Sequence, residues 1–375
     1  HQLDGSKAPG FDKVTKAQYG ENLTENLEDL IDRVRSQTYW APPVKRVEIP
    51  KEGSKDEYRP LGLPSFEDKV LQKGFVMLVE PVFEEEFYEY FYGFRPGKSQ
   101  HAALEFLFKE LVWEGKWVID LDVRKFFDTI DHLHLREFFG KRIKDGVLNR
   151  LVLGWLKAGV LKEGKWEATD RGTPQGGNVS PLLANLYLHE VLDDWFVKEV
   201  QPRLRGNSGM VRYADDAVLY FDDEADARRV MEVLGKRLEK FGLSLHPGKT
   251  RLINFTRPKG DGKRETFNFL GFTYYFGRSR NGKRIIKMKT AAKRQSAKMK
   301  SLYDWIKRHR HLPRKQQHAL LSAKLRGLFN YYGVSHNIAS LNRFKTFVVR
   351  TWRKWLNRTG RKKPMNWAKF NNYLE

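Results

Sequence analysis

The sequence predicts an α+β protein of two or three structural parts, and three observations carry that prediction. Residues 21–39 (ENLTENLEDLIDRVRSQTY) repeat apolar side chains at helical spacing, with Leu23, Leu27, Leu30, Ile31 and Val34 on one face. Residues 211–213 and 218–221 are β-rich runs flanking a short acidic break, a hairpin signature. From Thr290 onward the pattern is helical and basic. At 375 residues, 40% hydrophobic and 13% aromatic, the chain is long and apolar enough for more than one packed core.

The elements follow in order. Pro42 and Pro43 end the first helix, and apolar alternation over 44–49 predicts a strand. A turn-rich stretch, 51–57, separates that strand from 58–63. A helix is expected through 68–79, with Pro81 opening a new segment. A helix at 99–111 leads into a strand at 117–121, and helices at 134–140 and 146–158 follow an aromatic-rich loop. Residues 181–200 read as another strong helix. Beyond the hairpin come a helix at 224–241, short strands around 251–255 and 268–275, and a tight turn at Asn281-Gly282. The helical end breaks at Pro313, Gly333 and Gly360, no internal repeat is visible, and the composition shifts near residue 288.

The net charge of +23 is unevenly placed. Residues 251–375 carry 32 Lys and Arg against four acids, whereas residues 1–250 carry 37 against 42. A polyanion is the natural partner of such a step, through phosphate contacts and counterion release. Interleaved aromatics (Trp305, Tyr331, Tyr332, Trp352, Trp355, Trp367) favour nucleic acid, although several must be core. A solvated basic face or an anionic-lipid patch is the bland alternative. The chain has no cysteine, which excludes disulfides, iron–sulfur clusters and cysteine-based zinc sites and fits an intracellular protein. No apolar run approaches the ~20 residues that cross a bilayer. The polar start lacks a signal-peptide layout, and His1 in place of Met leaves room for a missing natural segment.

Three acidic pairs compete as chemistry. Asp193-Asp194, in a polar stretch of a helix, and Asp222-Asp223, between a strand and a helix, read as solvated or capping residues. Asp215-Asp216 differs, because it sits inside MVRYADDAVLYF, between apolar strand runs. Two like charges at a hairpin tip repel, and a bound divalent cation removes that cost. Asp120 and Asp122 alternate along a second strand and so share a face. If the two strands are neighbours, three or four carboxylates meet at one sheet edge, an oxygen-only set that suits magnesium. Such a set can hold two ions ~4 Å apart for phosphoryl transfer. An acidic turn paired with Arg212 or Arg124 is the alternative reading.

At this point the residues resemble those of bacterial group II intron-type reverse transcriptases. YADD at 213–216 resembles the family signature, and DVRKFFD from Asp122 its first catalytic motif. GTPQGGNVSPLLANLY from Gly172 is similar to the nucleotide-contacting motif. YRPLGLP from Tyr58 and YGFRPGKS from Tyr92 resemble fingers motifs; LHPGKT from Leu245 and FLGF from Phe269 resemble later palm motifs. GSKAPGFD from Gly5 resembles the lead into the fingers, and LRGLFNYYGV from Leu325, with residues 352–374, the thumb or maturase region. GFRPGKS at 93–99 also looks like a phosphate-binding loop, but is one residue short and lacks the strand–loop–helix frame.

The resemblance implies a right-hand polymerase: fingers at 1–110, a palm with part of the fingers at 111–288, its antiparallel sheet flanked by helices, and a basic helical thumb or maturase region at 289–375. It implies that Asp122, Asp215 and Asp216, with the Val123 carbonyl, bind two magnesium ions, for which manganese can substitute. Arg59, and Lys51 or its competitor Lys55, would neutralise the incoming triphosphate. Gln175 and Lys249 would contact the nucleotide, and Phe127 would exclude a ribose 2′-hydroxyl and so select dNTP. Asp120 would support without ligating. The implied partners are an RNA template, a DNA or RNA primer, dNTP and intron RNA, in the bacterial cytoplasm or an organelle. A maturase that chiefly folds intron RNA, and a domesticated enzyme of phage defence, CRISPR spacer acquisition or DNA repair, are the other functions the resemblance allows. No Cys/His-rich nuclease segment follows the thumb region, so target-site cleavage is not expected of this chain.

Overall fold

A computed structural model describes residues 3–6, 8–50, 58–112, 115–162, 164–173, 176–258, 264–358 and 365–371. It is α+β throughout, as the periodicities predict. Among the described residues, one compact unit comprises 3–50, 58–107 and 116–254, and a second comprises 108–112, 115 and those beyond 254.

The first unit opens with α1 (Lys16–Glu21), held by a capping box between Thr15 and Gln18. Next come α2 (Leu23–Arg35), β1 (Val44–Pro50), β2 (Tyr58–Leu63), α3 (Phe66–Glu84) and α4 (Gln100–Leu111). The face expected to bury α2 is largely open: only Leu30 is fully buried, while Leu23 and Ile31 are exposed. Ser65 caps α3 by accepting from the Asp68 N–H. Against expectation, α3 continues through Pro81. Val79 and Phe83 are buried on either side of it and hold the helix on the core. Met77, whose carbonyl loses its i+4 donor, is exposed to water.

Then follow β3 (Gly115–Asp122), α5 (Phe126–Thr129), α6 (His132–Arg142), α7 (Gly146–Lys157), β4 (Val160–Lys162), β5 (Lys165–Glu167) and α8 (Ser180–Leu188). Asp131 and Asp145 cap α6 and α7. The expected helix over 181–200 is α-helical only in α8, after which it widens into π-helical turns, His189–Asp193 and Trp195–Val200. The hairpin β6 (Ser208–Tyr213) and β7 (Asp216–Phe221) follows, then α9 (Glu224–Glu239) capped by Asp223, and β8 (Arg251–Thr256). One sheet runs β2-β1-β4-β5 and a second β6-β7-β3-β8, so β7 is a central strand. Phe75, Phe83, Phe139, Trp155, Leu186 and Phe221 lie in one apolar core beneath the second sheet.

The second unit contains the antiparallel sheet β9 (Phe267–Phe269), β10 (Phe272–Arg278) and β11 (Arg284–Thr290), with Gly282 at φ +76° in the turn predicted at Asn281-Gly282. Beyond it lie α10 (Ala292–Arg308), α11 (Arg314–Tyr332), α12 (Ile338–Leu356) and α13 (Trp367–Asn371). Buried polar groups tie these together. Asn337 donates to the Tyr332 carbonyl and to Thr290 Oγ1, and Trp352 donates its indole N–H to Gln317 Oε1 at 2.8 Å. Trp352, Trp355 and Tyr332 are therefore core, whereas Trp367 is partly open. Among the described residues no helix is long and apolar enough to cross a membrane.

Candidate active site

The central position of β7 decides where the carboxylates fall. It pairs with β6 so that Tyr213 faces Asp216, leaving Ala214 and Asp215 as a two-residue turn. On its other side it pairs with β3 so that Asp122 faces Asp216. The apolar runs Met210–Val211 and Ala217–Phe221 are buried on both faces of the sheet and anchor the hairpin in the core. The structure thus brings Asp122, Asp215 and Asp216 to one sheet end, with Asp216 exposed and Asp215 half-buried.

Ala214 takes the left-handed conformation, φ +56°, a geometry that costs a non-glycine residue about 1–2 kcal/mol. Burial pushes the Asp215 carboxyl above its ordinary range. Its own backbone amide, Arg59 and Arg212 oppose the rise, and the Asp122 charge adds to it. Arg59, exposed on β2, therefore acts on Asp215. Like charges facing each other across a strand pair are destabilising, so this site demands a cation. Lys249 supplies one, with its ammonium 2.9 Å from Asp122 Oδ2. Segment 244–250 also grips the end of β3: His246 N–H donates to the Asp122 carbonyl at 2.8 Å, and Arg124 N–H to the Ser244 carbonyl at 2.8 Å. Val123 between them is buried and bridged to Leu245. Among the described residues no three His, Asp or Glu are already spaced to hold a metal ion; the carboxylates are neighbours and not a closed cage.

Asp120 stands apart, near Arg251 at 3.8 Å, with burial raising its carboxyl to about 6. Phe127 lies on α5 just after Lys125, which is left-handed at φ +47°. Its ring packs edge-on to Phe126 and its carbonyl accepts the Thr173 N–H at 2.8 Å. Gly172 must be glycine there, since at φ +84° its Cβ would stand 2.7 Å from the Phe127 carbonyl oxygen. Lys51, Lys55 and Gln175 lie outside the described residues.

Sequence reading misplaced Asp193. It is not a solvated residue but fully buried, ion-paired with the equally buried Arg212. The π-helical turn and the distant partner strand explain the error, because neither shows in local pattern. Asp194 does reach the surface, bound to Tyr88 and Lys198. Asp222 pairs with Lys116, and Asp223 is the cap that was read. Gly93 was also missed as a contact to the hairpin. A Cβ there would fall 2.1 Å from Ala214 N, and Asn185 donates to the Gly93 carbonyl at 2.9 Å to hold the approach. In the same loop Arg95 pairs with Glu84 and Lys98 with Glu89, so these cations are engaged with carboxylates.

Residues 49–274, more than half of the chain, match the family profile of reverse transcriptases, the RNA-dependent DNA polymerases. The chain belongs to that family. It is 33% identical over 309 residues to Protein YkfC of Escherichia coli, covering 74% of this chain and 78% of that protein. It is 34% identical over 228 residues to the group II intron-encoded protein LtrA of Lactococcus lactis, covering 61% of this chain but only 37% of LtrA. A telomerase structure from Candida albicans, solved with a fragment of telomeric RNA, superposes with a TM-score of 0.51 at 13% identity, over 96% of this chain and 62% of that one. The fold is that of the right-hand polymerases.

Proposed function

We propose that this reverse transcriptase extends a primer 3′-hydroxyl along an RNA template, with Asp122, Asp215 and Asp216 as its catalytic carboxylates. The observation that carries the reading is the strand register, which sets Asp122 opposite Asp216 with Asp215 in the adjoining turn. The 3′-oxygen attacks the dNTP α-phosphorus, its proton leaves, and the bond to the β-phosphate breaks to release pyrophosphate. The oxygen-only donor set fits hard divalent cations, magnesium first and manganese as substitute, held by the three carboxylates and the Val123 carbonyl. Bound there, two such ions supply charge neutralisation for the attacking and leaving oxygens. Lys249, already at Asp122, and Arg59, already acting on Asp215, favour an approaching triphosphate. Lys51 and Gln175 complete the nucleotide contacts in this reading, and Phe127 excludes the 2′-hydroxyl.

In the same reading fingers occupy 1–110, palm 111–288 and thumb 289–375, the thumb following the template–primer duplex. Intron RNA is a further partner, whose splicing the chain assists, in the bacterial cytoplasm. The likeness to LtrA supports this, as does the basic end of the sequence. The decisive test is primer extension by the Asp215→Asn, Asp216→Asn double variant. Activity should vanish while RNA affinity stays within about threefold, because two carboxylates leave and no basic contact does. Extension surviving the double change would sink the assignment.

A further inference from the structure

We infer that Asp193 and Arg212 are a positioning pair for polymerisation, holding the Ala214-Asp215 turn in the conformation that aims Asp215. This rests on the reading of Asp215 and Asp216 as catalytic. Arg212 lies two residues before the turn and is fully buried. Its Nε donates to Asp193 Oδ1 at 2.8 Å and its Nη2 pairs with Asp193 Oδ2, a two-pronged grip. Its Nη1 reaches past the end of its own strand to donate to the Ala214 carbonyl at 2.9 Å. The guanidinium also lies over the Phe91 ring at 3.7 Å.

A buried ion pair is weak evidence of stabilisation, because desolvation offsets the attraction and packed apolar groups of equal volume often do as well. What apolar groups cannot supply is a directed hydrogen bond to one carbonyl. That carbonyl belongs to the left-handed residue immediately before Asp215. Gly93 closes on the same residue from its amide side. The backbone of Arg212 is fixed too, its N–H donating to the Tyr90 carbonyl and its carbonyl accepting the Tyr92 N–H. Ala214 is thus clamped at both ends, and the Asp193–Arg212 pair is the clamp at its carbonyl.

The test is steady-state dNTP addition by the purified full chain, with thermal midpoints measured alongside. Arg212→Lys and Asp193→Asn are each made with and without Ala214→Gly. Each single variant should lower kcat about 10- to 100-fold with dNTP KM little changed, as expected of a small misplacement of a reacting group. Adding Ala214→Gly, which adopts positive φ without strain, should restore kcat at least about fivefold, with a rise in thermal midpoint no larger than the same change gives in the otherwise unchanged chain. A merely structural pair would show recovery of stability and activity together, or no recovery, and either result overturns the inference. Wild-type kcat in a folded single variant overturns it too. If Arg212→Lys does not fold, Asp193→Asn, which keeps the guanidinium but removes the carboxylate that aims it at the Ala214 carbonyl, decides by the same criteria. Asp215→Asn is run in parallel: activity retained there would refute the catalytic reading itself, separately from the pairing.

Discussion

Phe127 shows how a single residue is placed by backbone and not by its own packing alone. The left-handed Lys125 starts the short α5, and the Thr173 N–H pins the Phe127 carbonyl at 2.8 Å. If the ring closes the sugar pocket, Phe127→Ala should lower the dNTP-over-NTP ratio of kcat/KM about 10- to 100-fold, measured with matched dCTP and CTP. Unchanged selectivity would remove the gate from Phe127. At this scale the sequence was readable where chemistry violates a local rule. Two adjacent acids in a hairpin tip are costly without a cation, so Asp215 and Asp216 stood out. Asp193 obeyed every local rule of a polar helix and was read wrongly, since only a partner 19 residues away reveals its burial. Arg212 drew notice only as a possible partner for the turn; it does bond the Ala214 carbonyl there, while its ion pair is with Asp193 of the π-helical stretch.

At the scale of elements, Asp68 on α3 joins parts whose association no periodicity reveals. Its carboxylate accepts from Tyr39 Oη at 2.8 Å, from Gln72 Nε2 at 2.8 Å and from the Trp155 indole at 2.7 Å. Gln72 in turn accepts the Val179 N–H at the entry to α8. Burial raises the Asp68 carboxyl to about 6 from 3.8, against the pull of those three donors. A raised carboxyl binds protons more tightly folded than unfolded, so its share of stability is complete below pH 3.8 and is lost as pH rises through about 6. Asp68→Asn abolishes that dependence. Its stability penalty in urea unfolding should therefore shrink by about 2 kcal/mol between pH 4 and pH 7. A penalty that grows with pH would contradict the assignment. Element boundaries were readable at Asp223, read as a cap, and at Gly146, where α7 begins as expected, but α6 begins at His132, two residues before the expected start. Pro81 misled because packing of Val79 and Phe83 outweighs a lost backbone bond.

For the whole molecule, the charge step is the feature most plainly written in the sequence: 32 basic side chains against four acids beyond residue 250. If this region follows a template–primer duplex through six to ten phosphates, affinity should fall about a thousandfold or more between roughly 50 and 200 mM salt. A nearly flat plot of log affinity against log salt would rule that out. The α+β class was legible from two periods of hydrophobicity. In the second unit β9, β10 and β11 pack with one another before the helices begin, a grouping set by contacts distant in sequence. The close approach of Gly93 to Ala214 has a consequence for anyone building chimaeras. Two stretches more than a hundred residues apart behave as one inherited module, because neither backbone has a methyl group's room to drift from the other. A hairpin borrowed from a relative must bring its own counterpart of residues 90–95, or the graft will fold around a collision.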